Sequence, residues 1–308
     1  MIIALARLIR LPNLIIVALT QYLLYYFVFL ANFRVHDLKP VLDLTHFSLL
    51  VLVTVMLTAG GNVINDVLDL QADKINKPQK MVISRYISRR TALWIYFSLQ
   101  ATGFFIAVYL SFLTGNQRLL WLYPAASIGL YTYSSYFKRI PLAGHLLISV
   151  YCAGVALIIW VAEFPNYVAL YRLESDRALM IRNVTLFYSG FAFISTLLRE
   201  LIKVLEDEKG DRLAGYRTTA IVWGEMKVKG LGILMGIILI LLLSISGIYF
   251  RPYFESLDLV IGLGVLMLPI ILIIVGLSKI TTSSNFKQLS RLTKLLMLMG
   301  ILVLIFFR

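Results

Sequence analysis

The sequence predicts an all-α, polytopic membrane protein of nine transmembrane helices with its N-terminus on the cytoplasmic side. Three observations carry that prediction. Apolar runs of roughly 18 residues or more, the length that crosses a bilayer, recur along the chain. Hydrophobic residues make up 60% of the 308 positions and the mean hydropathy is +0.85, which is far above a soluble fold. Basic residues are dense in alternate loops, as they are when successive loops lie on opposite faces of a membrane.

The runs place spans at 14–32, 47–64, 92–113, 119–137, 142–163, 184–202, 228–249, 258–277 and 291–307. The first is longer than a signal-peptide core and lacks a small-residue cleavage site, so it is expected to be retained. The second and the sixth each end in an acidic segment. The segment 163–183 that follows the fifth, with Pro165, Tyr167 and mixed charges, reads as an outer interfacial helix or loop. His36 and His46 fall in an earlier outer loop, ten residues apart, and read as surface residues. Cys152 lies within an apolar run and is the only cysteine; it excludes an intrachain disulfide and a cysteine-cluster metal site, and reads as a small buried hydrophobe.

Charge tests the count of spans. With the N-terminus inside, eight of the 29 Lys and Arg residues fall outside: Arg34, Lys39, Arg118, Arg172, Arg177, Arg182, Arg251 and Arg308. The rest fall inside, and a wrong number of spans would scramble that asymmetry. The net charge of +13 would suit a nucleic acid in a soluble protein. Here basic cytoplasmic loops account for it, and they favour anionic headgroups; membrane lipids are expected partners and nucleic acid is not. No stretch reads as a separate soluble domain, so residues 1–308 are expected to form one transmembrane domain.

The first acidic segment, NVINDVLDLQADKINKP from Asn62 to Pro78, places Asn65, Asp69 and Asp73 four residues apart, with Asp66 beside them. On a helix that register stacks them on one face. Like charges at this spacing repel, which a purely structural segment avoids and a site for a hard cation requires, because Mg2+ and Ca2+ take oxygen ligands. A solvated helix end at the membrane surface is the alternative. The second segment, RELIKVLEDEKGDRLAGYRT from Arg199 to Thr218, repeats the arrangement with Asp207 and Asp211 four apart, beside Glu200, Glu206 and Glu208. By counting crossings, both segments lie on the cytoplasmic side. Each is interleaved with bases, Lys74, Lys77, Lys80 and Arg85 in one and Lys203, Lys209, Arg212 and Arg217 in the other. Carboxylates that hold Mg2+ and bases that neutralise phosphate oxygens are together suited to a polyphosphate.

These two segments resemble the paired aspartate-rich motifs of the UbiA superfamily of intramembrane prenyltransferases: an NDxxDxxxD pattern with a following Asn-x-Pro turn, and a DxxxD with trailing GDRxAGxxT. RLPNLI (Arg10 to Ile15) is similar to that family's opening helix and FKRIPLAGH (Phe137 to His145) to its short cytoplasmic turn. The resemblance implies a bundle of nine helices around a central cavity, with both motifs at its cytoplasmic end. It implies a Mg2+-dependent transfer of a prenyl group from an isoprenyl diphosphate, such as geranylgeranyl diphosphate, to a lipophilic acceptor at the cell's inner membrane, with the active site toward the cytoplasm. Residue by residue, it implies metal or diphosphate contacts for Asn65, Asp66, Asp69, Asp73, Asp207 and Asp211, with Asp69, Asp73, Asp207 and Asp211 catalytic. It also implies diphosphate contacts for Asn65, Lys74, Lys80, Lys138, Arg199 and Arg217, and cavity positions for Tyr131, Tyr133, Tyr136 and His145; tyrosines at an interface are otherwise anchors.

The chain departs from the family pattern at Val204, where an aspartate is frequent, at Lys80 and Met81, where Arg-Pro is common, and at His145, where asparagine is frequent. The second motif is most similar to the lipid-forming branch, whose acceptor is a prenylated glycerol phosphate; an aromatic acid of quinone biosynthesis is the alternative acceptor. A cation-coupled transporter would use the same carboxylates, but it would place them near the midplane on broken, repeated helices. Here the acids cluster at helix ends on one side.

Overall fold

The computed structural model describes residues 1–76, 79, 81–213, 215–253, 256–279 and 282–306. Among these the chain is helical, in the order α1 (Ile2–Leu8), α2 (Leu11–Leu24), α3 (Ala31–Arg34), α4 (Leu44–Leu68), α5 (Leu70–Asn76), α6 (Arg89–Thr114), α7 (Gln117–Ser135), α8 (Ala143–Leu173), α9 (Ser175–Leu213), α10 (Thr219–Trp223), α11 (Glu225–Phe250), α12 (Ser256–Lys279) and α13 (Ser283–Leu302). A π-helical stretch, Tyr25–Leu30, joins α2 to α3, so that residues 11–34 form one apolar rod. Eight helices among the described residues are long and apolar enough to cross a membrane: α2 with α3, then α4, α6, α8, α9, α11, α12 and α13. The predicted span 119–137 corresponds to α7, which has 19 residues but no 18-residue stretch as apolar as those of the eight.

Predicted and observed boundaries differ most after the fifth span. The segment 163–183, which reads in sequence as an interfacial helix or a loop, is helical: α8 runs on to Leu173 and α9 begins at Ser175. Pro165 lies inside α8 and has no N–H to offer the carbonyl four residues back. That carbonyl, of Val161, accepts a hydrogen bond of 2.7 Å from the Asn116 side-chain amide, so the helix passes its proline without an unpaired oxygen in apolar surroundings. Just beyond α8, Glu174 accepts from Arg177 and pairs with His36 at 2.7 Å; the His36 contact, foremost, lowers the Glu174 carboxyl below its ordinary value. His46 is likewise engaged, by Asp43 and Tyr109. Glu174 and Tyr109 stand far from these histidines in sequence, so the contacts come only with the folded chain.

The helices divide into two compact units. The first comprises residues 1–22, 32–138 and 158–178. Its core brings Ala4 and Leu8 of α1 onto Val63, Ile64 and Val67 of α4, with Val82, Ile83, Ala92 and Tyr96. Between membrane helices lipid is as apolar as leucine, so close association depends on small residues and polar contacts. Both occur here. A Cβ on Gly103 would lie 2.5 Å from the Tyr123 hydroxyl, and that hydroxyl donates to the Gln100 carbonyl at 3.0 Å while Ser127 donates to Gln100 Oε1 at 2.8 Å. These contacts join α6 to α7.

The second unit comprises residues 23–31, 139–157 and 179–308. Its core gathers Leu198, Leu201, Ile202 and Leu205 of α9 with residues of α11, α12 and α13. Gly232 and Gly236 on α11 stand four apart; a Cβ on either would meet Leu277 at 2.9 Å or Ile274 at 2.6 Å. That spacing of small residues lets the α11 and α12 backbones approach.

Candidate functional site

In the first unit the four-residue register of the sequence survives as backbone geometry. The Asp69 N–H donates to the Asn65 carbonyl at 2.9 Å and the Asp73 N–H to the Asp69 carbonyl at 2.8 Å. Asp69 caps α4 with φ −85° and ψ 1°, and α5 resumes at Leu70. Asn65, Asp69 and Asp73 therefore follow one another a turn apart across this break.

Two stripes of polar side chains leave α4, each with its own cation. On one, Asn65 Nδ2 donates to Asp69 Oδ2 at 3.0 Å, and the Lys138 ammonium donates to both Asn65 Oδ1, at 3.3 Å, and Asp69 Oδ2. Lys138 comes from the short 3-10 turn Phe137–Arg139 after α7. On the other, Asp66 Oδ1 accepts from Arg10 Nη2 at 2.9 Å, and Asn62 Nδ2 donates to the Ile9 carbonyl at 3.0 Å. Arg10 stands between α1 and α2 with φ +55°, a left-handed conformation that costs a non-glycine residue energy and persists where surrounding contacts fix it. The Arg10–Asp66 pair and the Asn62 bond supply such contacts. Neither Arg10 nor Asn62 was singled out from the sequence as a site residue; the signal was that Asn62 precedes Asp66 by four, the same interval as Asn65 to Asp69.

The oxygens that accept from Lys138 are an amide carbonyl and a carboxylate of a largely buried side chain, Asp69 being 9% exposed. Hard divalent cations take those oxygen types, so these residues fit Mg2+. Among the described residues, no three imidazole, thiolate or carboxylate groups converge closely enough to hold an ion unaided; the set in this unit is a mixed amide and carboxylate one. Asp73 is half-buried and Lys74 exposed, while Lys80 and Lys77 lie outside the described residues. Tyr131 and Tyr136 are exposed and Tyr133 is half-buried, with the Tyr136 ring edge-on to Phe137 at 5.5 Å.

In the second unit, α9 carries the second motif. Its 39 residues extend through Asp207 and Asp211, both half-buried and one turn apart. Glu208 and Arg212 pair alongside at 2.8 Å. Beyond the helix end at Leu213, Gly215 has a φ of +71°, which suits glycine, and Tyr216 N–H returns to the Asp211 carbonyl at 2.9 Å. Arg217 beyond it is exposed. Arg199 Nη1 donates to Glu200 Oε1 at 2.8 Å, and Glu200 is 8% exposed. Val204, where the family pattern has an aspartate, is buried in the apolar core of this unit, so its side chain takes no part in a polar site.

His145, also in the second unit, meets the Thr219 hydroxyl at 2.9 Å through Nε2, and that hydroxyl accepts the Leu142 N–H at 3.0 Å. Glu200 and Lys203 are its charged neighbours. Thr219 is buried and sits at the start of α10. This link between the turn before α8 and the turn after the second motif is invisible in sequence, where its members stand 74 residues apart.

A sequence profile described as the UbiA prenyltransferase family matches residues 24–301. The chain is 34% identical over 219 residues to the digeranylgeranylglyceryl phosphate synthase of Saccharolobus solfataricus, covering 71% of this chain and 69% of that one. It is 32% identical over 202 residues to the enzyme of the same name from Korarchaeum cryptofilum, covering 65% of this chain and 64% of that one, a little under two thirds of its length. Among solved structures, one reported for digeranylgeranylglyceryl phosphate synthase in membranes superposes with a TM-score of 0.69 at 22% identity, covering 99% of this chain and 97% of that chain. A UbiA homologue from Archaeoglobus fulgidus bound to DMAPP and Mg2+ superposes at 0.59 with 16% identity, covering 97% and 98%. At such identities the structural likeness speaks to the fold.

Proposed function

The chain belongs to the UbiA prenyltransferase family, a multi-pass membrane transferase of prenyl groups, and from that premise we propose that it is Mg2+-dependent and transfers an isoprenyl group, geranylgeranyl by preference, to a prenylated glycerol phosphate. The observation that carries the metal reading is the Asn65–Asp69 oxygen pair closed on a cation at the end of α4. The acceptor reading is supported by the relatives' names as digeranylgeranylglyceryl phosphate synthases, and the diphosphate donor by the homologue bound to DMAPP and Mg2+.

In this reading Asn65, Asp69 and Asp73 in the first unit, and Asp207 with Asp211 in the second, hold metal and diphosphate, with Asp66 positioning the first set through Arg10. Bound Mg2+ would supply charge stabilisation for the departing diphosphate. Lys138, Lys74, Lys80, Arg199 and Arg217 donate to diphosphate oxygens. The C1–O bond of the allylic diphosphate breaks, diphosphate leaves with the electron pair, and the acceptor hydroxyl oxygen bonds to C1 as it gives up its proton. Apolar helices exclude bulk water from the allylic cation. Residues 1–308 work as one domain in the inner membrane, with this chemistry on the cytoplasmic side.

The test is release of inorganic diphosphate from geranylgeranyl diphosphate by the purified protein, with Mg2+ and then with EDTA. It is run with 3-O-geranylgeranylglyceryl phosphate, 4-hydroxybenzoate or 1,4-dihydroxy-2-naphthoate, and products are read by mass. Metal-dependent release with the glycerol phosphate alone is expected. Turnover with an aromatic acid instead would replace the acceptor, and release undiminished by EDTA would remove the metal.

A further inference from the structure

Lys138 does not stand free beside the first motif. Its ammonium donates to Asp69 Oδ2, and at 3.3 Å to Asn65 Oδ1. These are two of the oxygens that the proposed function assigns to the metal. Asp69 Oδ2 already accepts from Asn65 Nδ2 at 3.0 Å. The neighbouring carboxylate, Asp66, is engaged separately by Arg10 at 2.9 Å. An ammonium and a divalent ion cannot share one carboxylate oxygen without strong repulsion, the more so away from bulk water. The Asp69 side chain is 12% exposed and that of Lys138 35%, so the carboxylate is largely buried at the end of α4 while its lysine partner is the more exposed of the two.

Resting on the proposed function, we infer that Lys138 is a resident counter-cation of the metal site, which the metal displaces only when a diphosphate is present to receive the ammonium. Alone, a divalent ion has to expel Lys138 with no bound diphosphate to receive the ammonium. Together with a prenyl diphosphate, the same ion takes Asn65 and Asp69 while the freed ammonium finds phosphate oxygens, the charge-assisted partners it favours. Metal and diphosphate affinities are then coupled, and by linkage each raises the other by the same factor. Lys138 thereby positions the reactants: it holds the amide and carboxylate oxygens in place without metal and disfavours metal binding without substrate.

The experiment measures Mn2+ binding to the full-length protein in detergent, by the electron paramagnetic resonance of free Mn2+. It is done without and with geranylgeranyl thiolodiphosphate, whose C1–S bond resists cleavage. The wild type is expected to bind Mn2+ weakly alone and at least about tenfold more tightly with the analogue. Lys138→Met and Lys138→Gln, which remove the competing charge, should bind Mn2+ alone at least about tenfold more tightly than wild type, by analogy with the effect of a neighbouring cation on a carboxylate's affinity for a proton. In both, the gain from the analogue should shrink. Lys138→Arg, which keeps the charge, should stay near wild type. Wild type that binds Mn2+ equally well with and without the analogue overturns the inference, and that arm decides even where a variant fails to fold. Equal Mn2+ affinity in wild type and the uncharged variants overturns it too, while leaving the proposed function intact. Absence of Mn2+ binding in every protein, analogue included, overturns both.

Discussion

Asp66 and Asp69 lie three residues apart on the same helix end, yet they meet different cations, Arg10 from the N-terminal segment and Lys138 from the turn after α7. Composition treats the two carboxylates alike; their partners separate them. Asp69 is the more buried and shares its cation with Asn65, whereas Asp66 pairs with Arg10. Asp69→Asn is therefore expected to lower diphosphate release by about a thousandfold, the scale of losing a group that stabilises developing charge. Asp66→Asn should cost no more than about tenfold. The melting temperature measured beside the rate separates misfolding from chemistry, and equal losses in rate for the two variants, at equal stability, would refute the division of roles. Val204 carries a related lesson. Its position in the motif suggested a missing ligand, but its side chain is part of the core with Leu201 and Leu205, so the departure from the family pattern is a packing choice.

At the scale of elements, α8 shows how a membrane helix tolerates a breaker. Pro165 frees the Val161 carbonyl, and Asn116, at the start of α7, supplies the missing donor while its Oδ1 caps Arg118 N–H at 3.1 Å. Removing the amide by Asn116→Ala should destabilise the protein by about 1–3 kcal/mol through the unpaired carbonyl, in addition to the loss of the cap. Pro165→Ala restores the helical N–H, so in that background the carbonyl part of the cost should vanish and only the cap part remain. A double-mutant cycle by denaturant unfolding in detergent reads the coupling; additive effects would mean that the Asn116 bond is incidental. The same logic explains why the sequence leaves the segment 163–183 open between an interfacial helix and a loop. A proline and mixed charges allow either, and the side chain that satisfies the freed carbonyl lies 45 residues before it in the chain.

For the whole molecule the open quantity is the sidedness of the two motifs. Positive charge places both inside if four spans separate them, and one of those is α7, whose 19 residues amount to about 28 Å of helix. In a Cys152→Ala background, Gln79→Cys and Arg212→Cys should react with an impermeant maleimide from the same face of sealed vesicles. Reaction from opposite faces would show that α7 does not cross, and would invalidate the orientation read from charge. The sequence by itself determined the helical class, the apolar spans and the two acidic segments, because bilayer length, hydropathy and a four-residue register are properties of consecutive residues. Only the tertiary structure decided that Lys138 closes on Asn65 and Asp69, that Arg10 takes Asp66, that Thr219 meets His145, and that α8 passes Pro165 unbroken. Each of these joins residues far apart in the chain, where no local pattern records which donor will face which acceptor.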